Sequence, residues 1–409
     1  MQRRDFIKYL GLGSAALTLS PVILSAATTP TVVVVGGGFS GATAAKYLKM
    51  WGGSSVNVVL IEPNATYYSP ILSNLVLNNQ KSLYQFNYND LASKYGVSII
   101  NKSVNSIDAN AKSLTLNDGS KVAYDKLILA TGIDFIQVNS YDFNKVPHAW
   151  IAGEQTTILK NQIDSMQDGD TFVLTIPKSP YRCPPGPYER ACVVADYLKN
   201  TKGLNCNVIV LDENSDIIVE KDSFLNAFND YGVDYRANST IVAVDDVNLS
   251  VTYNNGSNIT INADVLNVIP RQKAARLVVD SALTDSTNFA PVNLLNYEST
   301  LVKDIHIIGD SHKSSQPKAG HIANSEAKIC ADAVLRELSG SAPYAKPKTN
   351  SACYSPISKS EATWLSAVYE YNAASNDMVK VYGGAGVPST QNYSDMFKWT
   401  TNLFSDTFA

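Results

Sequence analysis

The sequence predicts an α/β fold made of two Rossmann-like domains and a small C-terminal α+β domain. The same pattern occurs twice and predicts the paired domains. An apolar strand, a turn and a helix follow one another from residue 31 and again from residue 172, as in a parallel-sheet unit. In addition, residues 336–409 are polar and rich in aromatic side chains. The expected boundaries are 28–150 and 266–335 for the first domain, 151–265 for the second and 336–409 for the third.

The composition is that of a globular protein with a mildly acidic body. The chain has 409 residues, 17% charged and 45% hydrophobic, and a net charge of −4. Its first 27 residues contain Arg3, Arg4 and Lys8 against Asp5, a sum of +2, so the remainder carries −6. Such a balance argues against nucleic acid as a partner.

The first 27 residues predict an export signal. Arg3 and Arg4 precede a moderately apolar stretch, interrupted by Gly11 and Pro21, that ends in small residues. This pattern is typical of a twin-arginine signal and predicts a periplasmic protein, whereas the interruptions disfavour a membrane anchor. No later segment offers 18 unbroken apolar residues, so we expect no integral membrane segment in the mature chain.

A glycine-rich turn after the first strand predicts a dinucleotide site. The turn fits G-x-G-x-x-G: Gly36 makes the tight turn, Gly38 admits a pyrophosphate, and Gly41 lets the following helix, 42–50, pack closely on the strand. A second strand, 56–61, ends at an acidic residue that can accept hydrogen bonds from a ribose. The predicted contacts here are Gly36, Gly38, Phe39, Ser40, Gly41 and Glu62.

Two later strand ends favour FAD over NAD. In glutathione-reductase-like flavoproteins two further strands meet FAD at their ends, and the last one ends in an acidic residue. This chain offers both in the expected order, and the predicted contacts are Ala130, Thr131, Gly132, Gly309 and Asp310. Val104, which lies between Glu62 and Ala130 in the sequence, is a further predicted contact.

A helix that begins near Pro317 and Lys318 would direct its positive end at the flavin. A solvated surface charge is the equally weighted alternative for Lys318.

The turn of the second domain lacks the glycines that a nicotinamide cofactor needs. It reads SPYRCPPGPYERACVV, and its prolines, Pro184, Pro185 and Pro187, leave few N–H groups for a pyrophosphate. Glu189 at the start of the helix would repel one. The second domain therefore keeps its fold without its nucleotide, and Cys183 becomes the candidate entry point for electrons.

The chain has five cysteines, and their spacing alone does not define a pairing. Cys206 and Cys330 are expected to be core thiols, as is Cys192 in the helix after the proline turn. Cys353 lies in a Ser-rich stretch that reads as a loop. There is no C-x-x-C-H motif, so the chain attaches no c-type haem, and we expect no metal site.

Several segments resemble the flavoprotein subunit of flavocytochrome c sulfide dehydrogenase over nearly the whole mature chain. They are PHAWIAGEQT, SPYRCPPGPYERA, NVIPRQKA, IHIIGDSHKSSQPKAG, NSACYSPI and FKWTTNLFSDTFA. The resemblance implies oxidation of sulfide to sulfur or polysulfide, with Cys183 and Cys353 as a redox disulfide and Glu189 as the active-site acid. It also implies that the haem belongs to a cytochrome c partner, either a subunit or a soluble protein.

The implied chemistry is reasonable, because hydrosulfide can attack a disulfide to give a persulfide and a thiolate, which then reduces the flavin. Glu189 can move protons if apolar surroundings raise its pKa. The alternative is a structural role, in which its carboxylate stabilises the positive end of the helix dipole.

Three departures from the family pattern qualify this prediction. No cysteine follows Glu62 before Cys183, so FAD should be bound without a covalent link. Arg271 and Gln316 replace a usual proline and methionine, and both are expected at the active-site rim.

Two rival functions stay open. A sulfide:quinone oxidoreductase would need a membrane-binding tail, which this polar and weakly basic C-terminus does not resemble. A non-catalytic FAD-binding chaperone or sulfane-sulfur carrier would bind the flavin without turning over sulfide.

Overall fold

The computed structural model of the chain describes residues 29–409. The twin-arginine segment, residues 1–27, lies outside the described residues. The predicted α/β class is confirmed, and the helices and strands follow in chain order.

The elements of residues 29–150 are β1 (Thr31–Val35), α1 (Phe39–Gly52), β2 (Asn57–Ile61), β3 (Tyr67–Tyr68), α2 (Asn74–Leu77), β4 (Gln85–Phe86), α3 (Asn89–Tyr95), β5 (Ser98–Ile100), β6 (Val104–Asp108), β7 (Ser113–Leu116), β8 (Lys121–Ala123), β9 (Lys126–Leu129) and β10 (Ile133–Ile136). Those of residues 151–270 are α4 (Glu154–Ser165), β11 (Thr171–Ile176), α5 (Gly186–Asp196), β12 (Asn207–Asp212), α6 (Lys221–Tyr231), β13 (Asp234–Arg236), β14 (Thr240–Asp245), β15 (Ser250–Asn254), β16 (Asn258–Asn262) and β17 (Val265–Val268). Those of residues 271–409 are β18 (Arg271–Ala274), α7 (Arg276–Asp280), β19 (Val292–Asn293), β20 (Glu298–Ser299), β21 (Ile305–Ile307), α8 (Gly320–Leu338), β22 (Lys348–Pro356), β23 (Ala362–Asn372), β24 (Asp377–Ser389) and α9 (Thr390–Phe408).

The first sheet has seven strands in the order β19-β20-β21-β9-β1-β2-β5. Strand β1 pairs in parallel with β2 on one side and β9 on the other, β9 pairs in parallel with β21, and residues 32–35 are buried. The carboxyl ends of β1, β9 and β21 therefore open on the same edge, which is where a doubly wound sheet binds its ligand.

A second, four-stranded parallel sheet has the order β13-β12-β11-β17. Strand β11 pairs with β12 on one side and β17 on the other, and α5 follows it at the carboxyl edge. The antiparallel pair of β10 with β18 joins the chain segments that lead into and out of this unit.

The C-terminal part consists of the antiparallel sheet β22-β23-β24 and the helix α9. The helix buries Phe404 and Phe408 against the first domain, where the Phe408 ring stacks on Phe86 with centroids 4.5 Å apart. Its apolar face thus lies inside the protein. Within the part of the chain that the structure describes, no helix has both the length and the apolar character needed to cross a membrane.

Candidate active site

A cavity of about 460 Å³ lies at the carboxyl edge of the first sheet. It is lined by predicted contacts from all three segments, namely Gly36, Gly38, Phe39, Ser40, Glu62, Ala130, Thr131, Gly132, Gly309 and Asp310. Gly41 is not in the wall. It lies behind it, where a Cβ would come 1.8 Å from the Gly36 carbonyl oxygen, so this glycine allows helix and strand to pack closely, as predicted.

The glycine turn has no room for side chains. Gly36 has φ +100°, and a Cβ there would come 2.5 Å from the Ala130 carbonyl oxygen. Helix α1 begins at Phe39, three residues earlier than the predicted helix at Ala42, because Gly38 takes the N-cap position. The turn therefore brings the helix N-terminus directly to the cavity.

The cavity wall has the groups that a flavin dinucleotide needs. The N–H groups of Phe39, Ser40 and Gly41 have no acceptor among the described residues, and the first turn of α1 contains no acidic residue, so it can hold a pyrophosphate. Glu62 receives the Gly37 N–H at 2.9 Å at the end of β2, where a carboxylate can accept from a ribose hydroxyl. These residues fit FAD.

Three predicted contacts, Val104, Pro317 and Lys318, do not line this cavity. Val104 begins β6 in a separate antiparallel sheet and does not line the cavity, because the chain turns away from the dinucleotide edge after β5. Helix α8 begins at Gly320 with Ala319 as N-cap, so Pro317 and Lys318 precede the helix, and the predicted start is wrong. Both residues line a small adjoining cavity together with Asp310.

Lys318 is not a surface charge. Its side chain is buried, its Nζ donates to the His312 carbonyl oxygen at 2.7 Å, and it lies 3.9 Å from the centre of the Phe289 ring. Burial lowers the pKa of Lys318 to about 8. The solvated alternative is therefore wrong for this residue.

A second, smaller cavity of about 70 Å³ lies beside the first and contains the three predicted catalytic residues, Cys183, Glu189 and Cys353. Both cavities share Pro70, Arg182 and Gly320 in their walls. The Arg182 Nε donates to Asp310 Oδ2 at 2.6 Å, so one side chain links the flavin cavity to the thiols. Sequence reasoning missed Arg182, and its position next to Cys183 was the available signal.

Cys183 and Cys353 are free thiols that line the same cavity, and each shifts the pKa of the other. Cys183 has φ 57°, a left-handed conformation that is uncommon for a side-chain-bearing residue. Cys353 lies in strand β22 and not in the predicted loop, because backbone pairing with β23, where Cys353 is opposite Leu365, overrides the weak strand propensity of the surrounding serines.

The two thiols have unequal acidity. The hydrogen bond from Cys353, followed by the Gly186 N–H and the charge of Arg182, lowers the pKa of Cys183 in spite of its burial. The same hydrogen bond, together with burial, raises the pKa of Cys353. Cys183 is therefore the more acidic thiol of the pair.

Glu189 lies in the first turn of α5 and is buried. Burial, and then the charge of Cys183, raises its pKa well above the ordinary range. Its Oε1 receives Asn74 Nδ2 at 2.9 Å, and Asn74 Oδ1 receives the buried Arg190 at 2.9 Å. The carboxyl group is thus held in a fixed network in the cavity of the two thiols, and its raised pKa favours the protonated form.

Two of the three remaining cysteines lie in the core as predicted, and the third does not. Cys192 and Cys330 are fully buried core thiols, as expected. Cys206 is half-buried, and its Sγ lies 3.2 Å from the Gln167 carbonyl oxygen just before β12, so the prediction of a core position is wrong for this residue. The strand itself starts one residue later.

The two departures from the family pattern lie away from the thiols. Arg271 donates to Glu213 Oε2 at 2.8 Å and lines a separate cavity of about 200 Å³ at the edge of the second sheet. Gln316 is buried and hydrogen-bonded to Thr349. Neither residue lines the cysteine cavity. Arg271 does not line the flavin cavity either, so the expectation that it lies at the active-site rim is wrong, whereas Gln316 lines the small adjoining cavity that contains Asp310.

In the turn of the second domain, three backbone N–H groups already donate hydrogen bonds to acceptors within the protein. The Lys178 N–H donates to Glu213 at 2.9 Å, the Arg182 N–H to Gln272 at 2.7 Å, and the Cys183 N–H to the Lys318 carbonyl at 2.7 Å. A pyrophosphate would have to compete with these acceptors, which agrees with the predicted loss of the nucleotide.

Comparisons with known proteins agree with this architecture. Residues 30–168 match the pyridine nucleotide-disulphide oxidoreductase family, 156–270 match the central region of the sulfide dehydrogenase [flavocytochrome c] flavoprotein chain, and 345–408 match the flavocytochrome c sulphide dehydrogenase flavin-binding family. The sulfide:quinone oxidoreductase structure from Aquifex aeolicus superposes with a TM-score of 0.78 at 16% identity, covering 93% of this chain and 92% of that one.

Curated relatives match over very different lengths. The sulfide dehydrogenase [flavocytochrome c] flavoprotein chain of Chlorobaculum thiosulfatiphilum is 48% identical over 48 residues, 12% of this chain and 98% of that sequence. Mitochondrial sulfide:quinone oxidoreductase of Dictyostelium discoideum is 22% identical over 361 residues, 83% of this chain and 77% of that protein. Ferroptosis suppressor protein 1 of Taeniopygia guttata is 33% identical, but the match spans only 26% of that protein.

The fold and the paired cavities define a flavin-dependent oxidoreductase of the pyridine nucleotide-disulphide type. Within that class, the chain belongs to the family of flavocytochrome c sulfide dehydrogenase flavoprotein chains.

The flavin should be released intact when the protein is precipitated with acid. The cavity wall contains no cysteine, so none of its side chains is a thiol that can form a thioether to the flavin. Absorbance of the supernatant measures release, and protein unfolded in guanidinium is the control for trapped flavin. Yellow colour that stays with the washed pellet would contradict the prediction.

Proposed function

We propose that this protein is an FAD-dependent sulfide dehydrogenase that oxidises hydrosulfide to polysulfide or sulfur through Cys183 and Cys353. The observation that carries the proposal is that both thiols line one cavity, which shares Arg182 with the dinucleotide cavity. When bound, FAD supplies a two-electron acceptor that can pass the electrons on one at a time.

The unequal acidity of the thiols gives the reaction a direction. In the oxidised pair, hydrosulfide attacks the Cys353 sulfur; a new S–S bond forms, the bond between the cysteines breaks, and Cys183 leaves as the thiolate that its surroundings stabilise. A second hydrosulfide takes the outer sulfur away as hydrogen disulfide anion and leaves Cys353 as a thiol. The pair then loses two electrons and one proton and closes again.

Glu189 relays the proton in the second step. Its raised pKa favours the protonated carboxyl, which can give a proton to the departing Cys353 sulfur and regain one from the product. Asn74 holds the carboxyl in place. Stabilisation of the helix dipole requires a charged carboxylate, whereas burial raises the pKa of Glu189 and so disfavours the charged form.

We propose a cytochrome c as the electron acceptor, in keeping with the family. The likeness to sulfide:quinone oxidoreductases makes a quinone the second candidate. The burial of Phe404 and Phe408 against the first domain favours the cytochrome, because the last helix has no apolar face left for a membrane. Steady-state assays with sulfide and either oxidised cytochrome c or a short-chain quinone distinguish the two. A sulfur carrier would reduce neither acceptor.

We further propose export to the periplasm by the twin-arginine route, on the basis of residues 1–27. Fractionation of cells that express the chain, with Arg3→Lys/Arg4→Lys as the matched control, tests this. Recovery of the unaltered protein in the cytoplasmic fraction alone would contradict it.

NADH and NADPH should not reduce the flavin. The N–H groups of the second domain's turn already have protein acceptors, and Glu189 follows them in the first turn of α5. Stopped-flow mixing of the oxidised protein with either nucleotide should leave the flavin spectrum unchanged for seconds, with dithionite as the positive control. Rapid bleaching by a nucleotide would show that the second domain still binds one.

A further inference from the structure

His321 lies in the wall of the cysteine cavity and has no part in the chemistry described so far. It is the second residue of α8 and lines the same space as Cys183, Glu189 and Cys353. Four histidines occur in the chain. His306 and His312, by contrast, are buried in the first domain.

The ring of His321 has a defined orientation and tautomer. Its Nδ1 receives the Ala352 N–H at 2.9 Å and the Trp399 Nε1–H at 3.3 Å. An imidazole nitrogen that accepts has no proton, so the proton of the neutral ring is on Nε2. Burial lowers the pKa of His321, which keeps the ring in this neutral form at physiological pH.

Nε2 is thus a hydrogen-bond donor without a partner. Among residues 29–409, no acceptor lies within hydrogen-bonding distance of it, and Nε2 is not among the nitrogens sealed from solvent. The residue whose backbone anchors the ring, Ala352, directly precedes Cys353. The ring is therefore held in the wall of the cavity that also contains the sulfur that hydrosulfide attacks.

We propose that His321 binds the anionic sulfur substrate, with Nε2–H donating to hydrosulfide as it approaches Cys353. This inference rests on the proposed function and adds a substrate-binding residue to the same site. A hydrogen bond to an anion in a partly desolvated cavity is stronger than one between neutral groups. The electron balance of the first step is unchanged, because His321 neither gains nor loses its proton.

Two substitutions separate substrate binding from a purely structural role. In His321→Asn, the amide oxygen takes roughly the place of Nδ1 and can still accept from Ala352, but the Nε2 donor is gone. In His321→Gln, the amide nitrogen reaches the place of Nε2, whereas the anchor to Ala352 is lost. FAD content and melting temperature are measured for both.

Stopped-flow bleaching of the flavin by sulfide is the main readout, with dithionite as a reductant that needs no binding site. We expect His321→Asn to raise the half-saturating sulfide concentration about tenfold with unchanged bleaching by dithionite, and His321→Gln to lie closer to wild type. Mass spectrometry of alkylated protein should show correspondingly less persulfide on Cys353 at low sulfide.

A wild-type response from His321→Asn together with an impaired His321→Gln would overturn the inference, because the ring would then serve only to anchor β22. The proposed function would stand in that case. If sulfide failed to bleach the wild-type flavin while dithionite did, the proposed function would fall, and the inference with it.

Discussion

Replacing either cysteine of the pair by serine should abolish reduction of the flavin by sulfide. We expect Cys183→Ser and Cys353→Ser each to slow the reaction at least about a thousandfold. When residues act as one catalytic unit, loss of one member costs about as much rate as loss of all of them. Serine is close to cysteine in size and shape, so both variants should fold and hold FAD. The rate of bleaching in anaerobic stopped flow measures the effect.

Cys206→Ser is the matched control. Cys206 is the other cysteine that is not fully buried, and it lies outside the site, so its variant should react at the wild-type rate. If Cys183→Ser or Cys353→Ser kept its FAD and its melting temperature and still reduced cytochrome c with sulfide at the native rate, the redox role of the pair would be wrong.

Glu189→Gln should lower the rate of sulfide oxidation about a hundredfold. The amide can still accept from Asn74 but cannot donate and regain a proton, so we expect little change in melting temperature. Asp222→Asn, at an exposed first-turn position of α6, is the control for the loss of a helix N-terminal charge. If both substitutions lowered the rate of sulfide oxidation equally and only slightly, the role of Glu189 would be limited to stabilising the helix dipole.

The pH dependence follows from the direction of the pKa shift. Because the pKa of Glu189 is raised, the proton that it donates is present at lower pH and is lost as the pH rises through that value. The charged groups that set it are Cys183, Arg190 and Glu220. The rate of the wild-type protein divided by that of Glu189→Gln should therefore fall toward high pH. The ionisation of sulfide affects both rates equally, so its effect cancels in this ratio.

The parts of the fold that depend on local sequence were predictable. The glycine turn at Gly36 needs a left-handed backbone, and no other residue fits beside Ala130, so strand, turn, helix and acidic strand end could be placed from the sequence. The start of α8 was placed too early because proline suits a first helical turn, whereas Pro317 here lies in the extended segment before Ala319.

The contact between the cysteines was not derivable in the same way. It depends on how β22 folds back over the start of α5, a long-range arrangement with no local signal, and only the family resemblance paired Cys183 with Cys353. The strand that contains Cys353 is stabilised by its neighbour β23 and not by its own residues. The positions of Lys318 and His321 depend on the same long-range packing. Their local sequence does not distinguish them from surface residues, whereas the fold buries Lys318 and places His321 in the cysteine cavity.

Anaerobic mixing of the oxidised holoprotein with sulfide tests the central claim most directly. The visible absorbance of the flavin should bleach within the mixing experiment, and addition of oxidised cytochrome c should restore it as the cytochrome is reduced. A flavin spectrum that stays oxidised in excess sulfide, in protein whose flavin dithionite reduces normally, would contradict the assignment of Cys183 and Cys353 as the entry point for electrons.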